Sequence, residues 1–172
     1  MKTISLLTAV LCAGLVLTSG IFGRQQQDNR QSTSKTKRKT TTAKGDIQYI
    51  SSERNTSQNL PFSEAVRVGK MLYISGNIGT VPGTLDLAPG GIEPETKQAL
   101  ENIGQILKAN GSSFSRVVKC TVMMADMKEW PDMNKVYVTY FPKGHLPARS
   151  AFGTSGLARG ARVEIECTAV VK

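Results

Sequence analysis

Long apolar runs are absent from this 172-residue sequence beyond its first 23 residues, so no later segment is suited to cross a bilayer. The early run follows Lys2, extends from Ile4 to Leu17 and gives way to small residues. A positive start, a short apolar run and small residues beyond it are typical of a secretory signal peptide. We therefore expect residues 1–23 to direct export to the periplasm or the extracellular space. An uncleaved membrane anchor is the alternative, and membrane contact is expected only through this segment.

Aromatic and large aliphatic side chains are missing from residues 24–44. Such a segment cannot bury apolar surface, so it is predicted to be a disordered basic linker. Residues 1–44 have a net charge of +7, whereas residues 45–172 carry 14 Lys and Arg against 12 Asp and Glu, a net charge of +2. This nearly neutral domain argues against specific nucleic acid binding. We expect the linker to be a solvated tether, and attraction to a polyanion is the alternative.

Histidine and cysteine, which are frequent metal ligands, are scarce in residues 45–172. His145 is the single histidine, and it lies in a loop where a solvated side chain is the ordinary state. Cys120 and Cys167 are the two cysteines of this region. We identify no metal site. Both cysteines lie in strand patterns, where small buried thiols are common, so we expect them to be free; pairing in an oxidising compartment is the alternative.

Hydrophobic periodicity predicts an α+β domain that begins near Gly45. Strands are predicted at residues 47–50, 65–68, 71–78, 116–124, 148–153 and 161–171. Gly69-Lys70 favours a tight hairpin turn, and residues 80–91 form a loop with a short strand at 84–87. Helices are predicted at residues 94–110 and 131–141. This order indicates a single mixed sheet backed on one face by two helices.

The last stretch of the chain, residues 146–172, holds the residues that suggest chemistry. Apolar and polar residues alternate over residues 161–171, as in a half-buried strand. A short polar connection joins this strand to residues 148–153, which favours a hairpin-like pair. Such a pair would bring Arg149 and Glu164 into one neighbourhood. The two residues are then either a solvated ion pair or part of a site.

The segment Pro147-Ala148-Arg149-Ser150, with Glu164 fifteen residues after the arginine, resembles the signature of the Rid family of reactive intermediate deaminases, also called the YjgF family. Further segments with this resemblance are Leu72–Gly79, Lys97–Ile103, Val117–Val122 and Asn134–Tyr137. The resemblance covers residues 47–172, so residues 45–172 are interpreted as a Rid-like domain.

The resemblance implies a chorismate-mutase-like fold and a homotrimer in which three sheets close into a barrel-like core. Clefts then lie between neighbouring subunits. The sequence agrees with self-association, because a sheet covered on one face would leave Thr121, Met123 and Val170 exposed on the other.

Rid proteins of the arginine-bearing type hydrolyse enamines and imines such as 2-aminoacrylate, giving 2-keto acids and ammonia. The resemblance therefore implies that Arg149 anchors the substrate carboxylate and that Glu164 holds a water and relays protons. Backbone N–H groups near Gly76 and Ala151 would add contacts to this carboxylate. Asn134 also matches a family position and is included as a candidate substrate-binding residue. No metal or organic cofactor is implied, and the expected partners are a small imino or keto acid and further copies of the chain.

Two departures from the family pattern affect the cleft. Leu60-Pro61-Phe62 stands where most deaminating members have Gly-Pro-Tyr, so a phenol hydroxyl is lost and Phe62 becomes an apolar substrate-binding candidate. Ala151 stands where many members have cysteine, but its backbone N–H remains. The hydrolase has two alternatives: a non-catalytic carboxylate binder that uses the same cleft, and an interaction protein that acts through the trimer surface and the basic tail.

Overall fold

The structure, a computed structural model, describes residues 47–172. The predicted signal peptide at residues 1–23 and the predicted basic linker at residues 24–44 lie outside these residues. Within residues 47–172 the structure contains no helix with both the length and the apolar character of a membrane span.

Six strands form one mixed sheet, as the sequence predicts. They are β1 (Ile47–Ile50), β2 (Ala65–Val68), β3 (Met71–Ile78), β4 (Val117–Met124), β5 (Ala148–Gly153) and β6 (Val163–Val170). Their order across the sheet is β1-β2-β3-β6-β4-β5. Every neighbouring pair is antiparallel except β4 and β5, which run parallel.

The predicted turn and helices are present, with small differences in their bounds. Gly69 takes a φ of 58° in the β2–β3 turn, a conformation that glycine adopts without steric cost. Helix α2 (Ile92–Ala109) and helix α3 (Trp130–Tyr137) match the two predicted helices, and a 3-10 turn at Val138–Tyr140 extends α3. The sequence did not reveal α1 (Glu53–Ser57), because five residues are too few to show a helical period.

The core lies between the sheet and the helices α2 and α3. Alternate residues of β6 are buried against them, as the alternating pattern predicts, and these are Val163, Ile165, Cys167 and Ala169. Helix α2 contributes Leu100, Ile103 and Leu107, which recur on one face with the helical period. Burial of these side chains supplies the main driving force that holds the helices on the sheet.

The opposite face of the sheet is not covered by α2 or α3. Thr121, Met123 and Val170 are half-buried there, and Tyr73 and Phe152 remain 49% and 47% exposed. Two large aromatic side chains on one open sheet face are typical of a surface that another subunit covers.

The predicted hairpin between residues 148–153 and residues 161–171 is wrong. Strand β5 pairs with β4, whereas β6 pairs with β3 and β4, so β4 separates the two strands. The reason is the crossover through α3, which returns the chain parallel to β4 and places β5 at the edge of the sheet.

The expectation that Cys120 and Cys167 are free is also wrong. They lie directly opposite each other on β4 and β6 and form a disulfide with a Cα–Cα distance of 4.1 Å. A strand pattern predicts that a thiol is buried, but only the register between two strands brings a second thiol beside it.

Candidate functional site

Arg149 lies in β5, on the side of the sheet that the helices cover. It is in register with the buried residue Cys120, and directly paired residues project their side chains to the same face. Its Nη1 donates a 2.8 Å hydrogen bond to Asn134 Oδ1. Its guanidinium carbon lies 4.6 Å from the ring centre of Tyr137 and 5.6 Å from that of Trp130. These three partners share one face of α3, because they are spaced four and three residues apart.

The guanidinium of Arg149 has no anionic partner in the part of the chain that the structure describes, since no carboxylate there lies within ion-pair distance. A guanidinium has five N–H donors, and Arg149 uses one of them in its hydrogen bond to Asn134. The other N–H groups are available to bind a ligand. Burial raises the pKa of Tyr137 to about 12, and the nearby Arg149 charge only partly opposes this shift. Tyr137 is therefore neutral at physiological pH and does not neutralise Arg149. The arrangement suits a bound carboxylate.

Glu164 lies in β6 between the buried residues Val163 and Ile165, so its side chain projects to the opposite face of the sheet. Burial raises the pKa of the Glu164 carboxyl, and the charge of Glu166 raises it further. No cation among residues 47–172 forms an ion pair with Glu164. A raised pKa makes a carboxylate a better proton acceptor, which suits a general base.

Gly76 accommodates the Glu164 side chain. A Cβ at residue 76 would collide with Glu164 Oε1, so the carboxylate lies against a strand that carries no side chain at this position. The register between β3 and β6 shifts between Ile74 and Asn77, so Ser75 and Gly76 lie in a bulge. Bulges of this kind often redirect side chains at functional sites.

A pocket of about 210 Å³ opens beside Gly76. Its lining is largely apolar and includes Leu60, Phe62, Ile78 and Leu85, with Arg159 at one wall. Arg159 Nε donates a 2.6 Å hydrogen bond to the carbonyl oxygen of Leu85, which joins two loops across the pocket.

The expectation that one strand pair brings Arg149 and Glu164 together is therefore wrong within a single chain. The two side chains project to opposite faces of the sheet, because β5 pairs with β4 and places Arg149 toward the helices. The chain instead presents two half-sites. We call Arg149, Asn134, Trp130 and Tyr137 the arginine half-site, and Glu164, Gly76 and Phe62 the glutamate half-site.

The structure also shows where Ala151 and His145 lie. Ala151 follows Arg149 by two residues on β5 and packs against the core beside the arginine half-site. His145 lies in the loop before β5, and its exposed position agrees with a solvated side chain. Within residues 47–172 no cluster of His, Cys, Asp or Glu is arranged to hold a metal ion.

Sequence reasoning missed several residues of these half-sites. A tryptophan at the start of a helix is ordinarily a core or capping anchor, but Trp130 lies against Arg149. Its spacing from Asn134 and Tyr137 on one helical face was a usable signal. Leu85 and Arg159 carried no signal, because their approach depends on two loops that are distant in sequence.

Comparisons with known proteins identify the family of the chain. Residues 53–171 match the family described as Endoribonuclease L-PSP. The chain is 52% identical over 110 residues to the mouse protein named 2-iminobutanoate/2-iminopropanoate deaminase, covering 64% of this chain and 81% of that protein. It is 36% identical over 124 residues to Reactive Intermediate Deaminase A, chloroplastic, of Arabidopsis thaliana, covering 72% of this chain and 66% of that protein.

A solved structure of a Rid family protein, YyfA from Yersinia pestis, matches with a TM-score of 0.68 and 35% identity. The match covers 73% of this chain and all of the Yersinia chain. The resemblance drawn from the sequence is thus confirmed, and the chain belongs to the Endoribonuclease L-PSP family, which is also known as the YjgF/Rid family.

Proposed function

We propose that the protein hydrolyses 2-imino acids and their enamine tautomers, such as 2-aminoacrylate, to 2-keto acids and ammonia. The protein is a deaminase-like enzyme, and relatives with 46% to 52% identity are named 2-iminobutanoate/2-iminopropanoate deaminase. The observation that carries the proposal is the held guanidinium of Arg149, which has no anionic partner among residues 47–172. A 2-imino acid supplies the carboxylate that this cation lacks.

The proposed site is shared between subunits. Because Arg149 and Glu164 project to opposite faces of one sheet, one substrate can reach both only if they come from two copies of the chain. The open sheet face, with half-exposed Tyr73 and Phe152, supports such an assembly. We propose a barrel-like homotrimer in which the arginine half-site of one subunit meets the glutamate half-site of the next.

The reaction follows from the electrophilic carbon of the C=N bond. Arg149 holds the substrate carboxylate with two hydrogen bonds and fixes the position of this carbon. Glu164 takes a proton from a water molecule, whose oxygen forms a bond to the carbon as the π bond of C=N breaks, and Glu164 then gives this proton to the nitrogen. In the resulting tetrahedral adduct, Glu164 takes the hydroxyl proton and passes it to the amino nitrogen, the C–N bond breaks, and ammonia and the 2-keto acid leave. The raised pKa of Glu164 makes its carboxylate a better proton acceptor than an exposed glutamate.

The family is described as an endoribonuclease family, but the charge of this domain favours a small substrate over RNA. Residues 45–172 have a net charge of +2, whereas nucleic acid binding generally requires a basic face. A carboxylate binder without turnover is the second candidate. It is favoured by Phe62, which lines the pocket without a hydroxyl that could bond to a polar group.

Export is part of the proposal. The apolar leader at residues 1–23 and the Cys120–Cys167 disulfide both suit a protein that reaches an oxidising compartment. Mass spectrometry of the mature N-terminus tests this point, and we expect a chain that begins after the leader. A cytoplasmic chain that retains Met1 or Lys2 would contradict it.

Ammonia release from imines that an amino-acid oxidase generates tests the activity. Arg149→Ala and Glu164→Gln are expected to lower kcat/KM by at least about 100-fold, as loss of an anchor or a proton relay does. Glu101→Gln is the control, because Glu101 pairs with Lys97 on an exposed helix face. Equal ammonia release by the wild type and both site variants would refute the proposed hydrolase activity. For the binder, an unchanged Tm in millimolar 2-keto acid would refute ligand binding.

A further inference from the structure

Helix α3 surrounds the guanidinium of Arg149 with two aromatic rings. Tyr137 is 3% exposed and also packs 4.7 Å from the ring centre of Phe141, so its ring is fixed by the core. Trp130 is 36% exposed, and its ring centre lies 5.6 Å from the carbon of the same guanidinium. The cation thus has a buried aromatic contact, an exposed aromatic contact and one hydrogen bond from Nη1 to Asn134.

Prior fixing of Arg149 matters for ligand binding. An arginine side chain has several rotatable bonds, and immobilising it at the moment of binding would weaken the complex. Aromatic faces attract a guanidinium without using its N–H groups, which point outward in the plane of the cation. Contacts to Trp130 and Tyr137 can therefore orient Arg149 while its donors stay available to a carboxylate.

We propose that Trp130 and Tyr137 are positioning residues that hold the guanidinium of Arg149 in its carboxylate-binding orientation. The inference rests on the proposed function, because it assigns the carboxylate of a 2-imino or 2-keto acid to Arg149. The aromatic ring performs this role in each case. The hydroxyl of Tyr137 is buried without a hydrogen-bond partner in the described structure, so it contributes nothing to holding Arg149.

The expected effect is on substrate affinity. Arg149 contacts the carboxylate in the ground state and in the transition state alike, so a poorly held guanidinium raises KM and changes kcat little. A cation–π contact of ordinary strength corresponds to roughly a tenfold change in affinity. Trp130→Leu should therefore raise KM about tenfold, with kcat within about twofold of the wild type. Trp130→Phe retains an aromatic face and should restore KM to within about threefold.

Fluorescence gives a second readout that a purely structural role would not move. Trp130 is the single tryptophan of the chain, so the intrinsic tryptophan emission reports the surroundings of Arg149 directly. Titration of the wild-type protein with 2-oxobutanoate, a 2-keto acid, should give a saturable change in this emission. Arg149→Ala should abolish the change at the same ligand concentrations.

Tyr137→Leu and Tyr137→Phe form the matched pair for the buried contact. Tyr137→Leu removes the ring from the core, so its Kd and KM are interpreted only if its Tm shows a folded protein. The variants at the exposed Trp130 test the proposal whether or not Tyr137→Leu folds. Val138→Leu, a change at an exposed residue just after α3, is the control. Calorimetric titration with 2-oxobutanoate measures Kd in the variants that lack tryptophan.

The outcomes separate this inference from the proposed function. A wild-type protein that binds 2-oxobutanoate without releasing ammonia would refute the hydrolase, and a Kd raised about tenfold in Trp130→Leu would still support positioning. A folded Trp130→Leu protein with wild-type KM and Kd overturns the inference, whatever the activity of the wild type. A wild-type protein that neither binds 2-oxobutanoate nor hydrolyses imines overturns both.

Discussion

Gly76→Ala tests whether the position of the Glu164 carboxylate is essential. A Cβ at residue 76 would collide with Glu164 Oε1 and would lie 2.8 Å from Glu164 Cδ and 3.0 Å from Cγ. Gly76 does not take a positive φ, so alanine is compatible with the backbone of β3. The steric demand of the added methyl group therefore falls on the Glu164 side chain.

The size of the effect follows from these distances. Carbon atoms in contact lie about 3.5 to 4.0 Å apart, so the Glu164 carboxyl carbon must retreat by about 0.7 Å or more. A misplacement of about 1 Å in a reacting group costs on the order of 100-fold in rate. We expect kcat/KM for imine hydrolysis to fall about 100-fold. Because the colliding atoms are at the end of a flexible, half-buried side chain, the free energy of unfolding should fall by less than about 1 kcal/mol.

The assay is ammonia release under single-substrate conditions, with Tm measured on the same preparations. Gly153→Ala is the matched control, because its Cβ would meet Met127 Cγ at 3.0 Å, again a flexible side chain but one outside both half-sites. We expect near wild-type activity from this control. Full activity of Gly76→Ala would refute the role given to Glu164, and so would an equal loss of activity in Gly153→Ala.

Three further predictions concern pH, the disulfide and assembly. Burial raises the pKa of Glu164, so the folded wild type loses stability as the pH rises through this pKa, whereas Glu164→Gln has no carboxyl to ionise. The Tm of Glu164→Gln minus that of the wild type should therefore increase from acidic to neutral pH. A Tm difference that does not change with pH would contradict this reasoning. Removing the Cys120–Cys167 bond, which closes a 47-residue separation, should lower the free energy of unfolding in urea by about 4 kcal/mol. Reductant should then have no effect on the Cys120→Ala/Cys167→Ala variant, whereas a wild type insensitive to reductant would show that the bond is absent. Phe152→Asp places a charge on the open sheet face and should dissociate the trimer, with loss of activity. Light scattering measures the molar mass of the variant, and the mass of an intact trimer would contradict the proposed assembly.

Much of the fold could be predicted from local patterns. The alternation along β6 placed Val163, Ile165 and Cys167 on one face, and the core confirms this. The turn at Gly69 and the periods of α2 and α3 were likewise visible, because each depends on residues that are close in sequence. The family resemblance indicated Arg149 and Glu164 as the charged pair of the candidate site.

Pairing between distant segments could not be predicted in the same way. The sequence suggested that β5 and β6 are neighbours, but β5 pairs with β4, and this change places Arg149 and Glu164 on opposite faces. The register between β4 and β6 brings Cys120 against Cys167. A one-residue shift in register reverses the direction of every side chain in a strand, so such pairings depend on long-range contacts that periodicity does not encode.

The amino-acid sequence by itself determined the six strands and the two long helices, their order, the buried side of β6 and the two charged residues that suggest chemistry. These features depend on the local period of apolar residues and on backbone preferences within a few residues. Only the tertiary structure decided that Trp130 and Tyr137 of α3 lie against Arg149 and that Gly76 makes room for Glu164. Those contacts join segments far apart in the chain, and their geometry is set by how the helices and strands pack together.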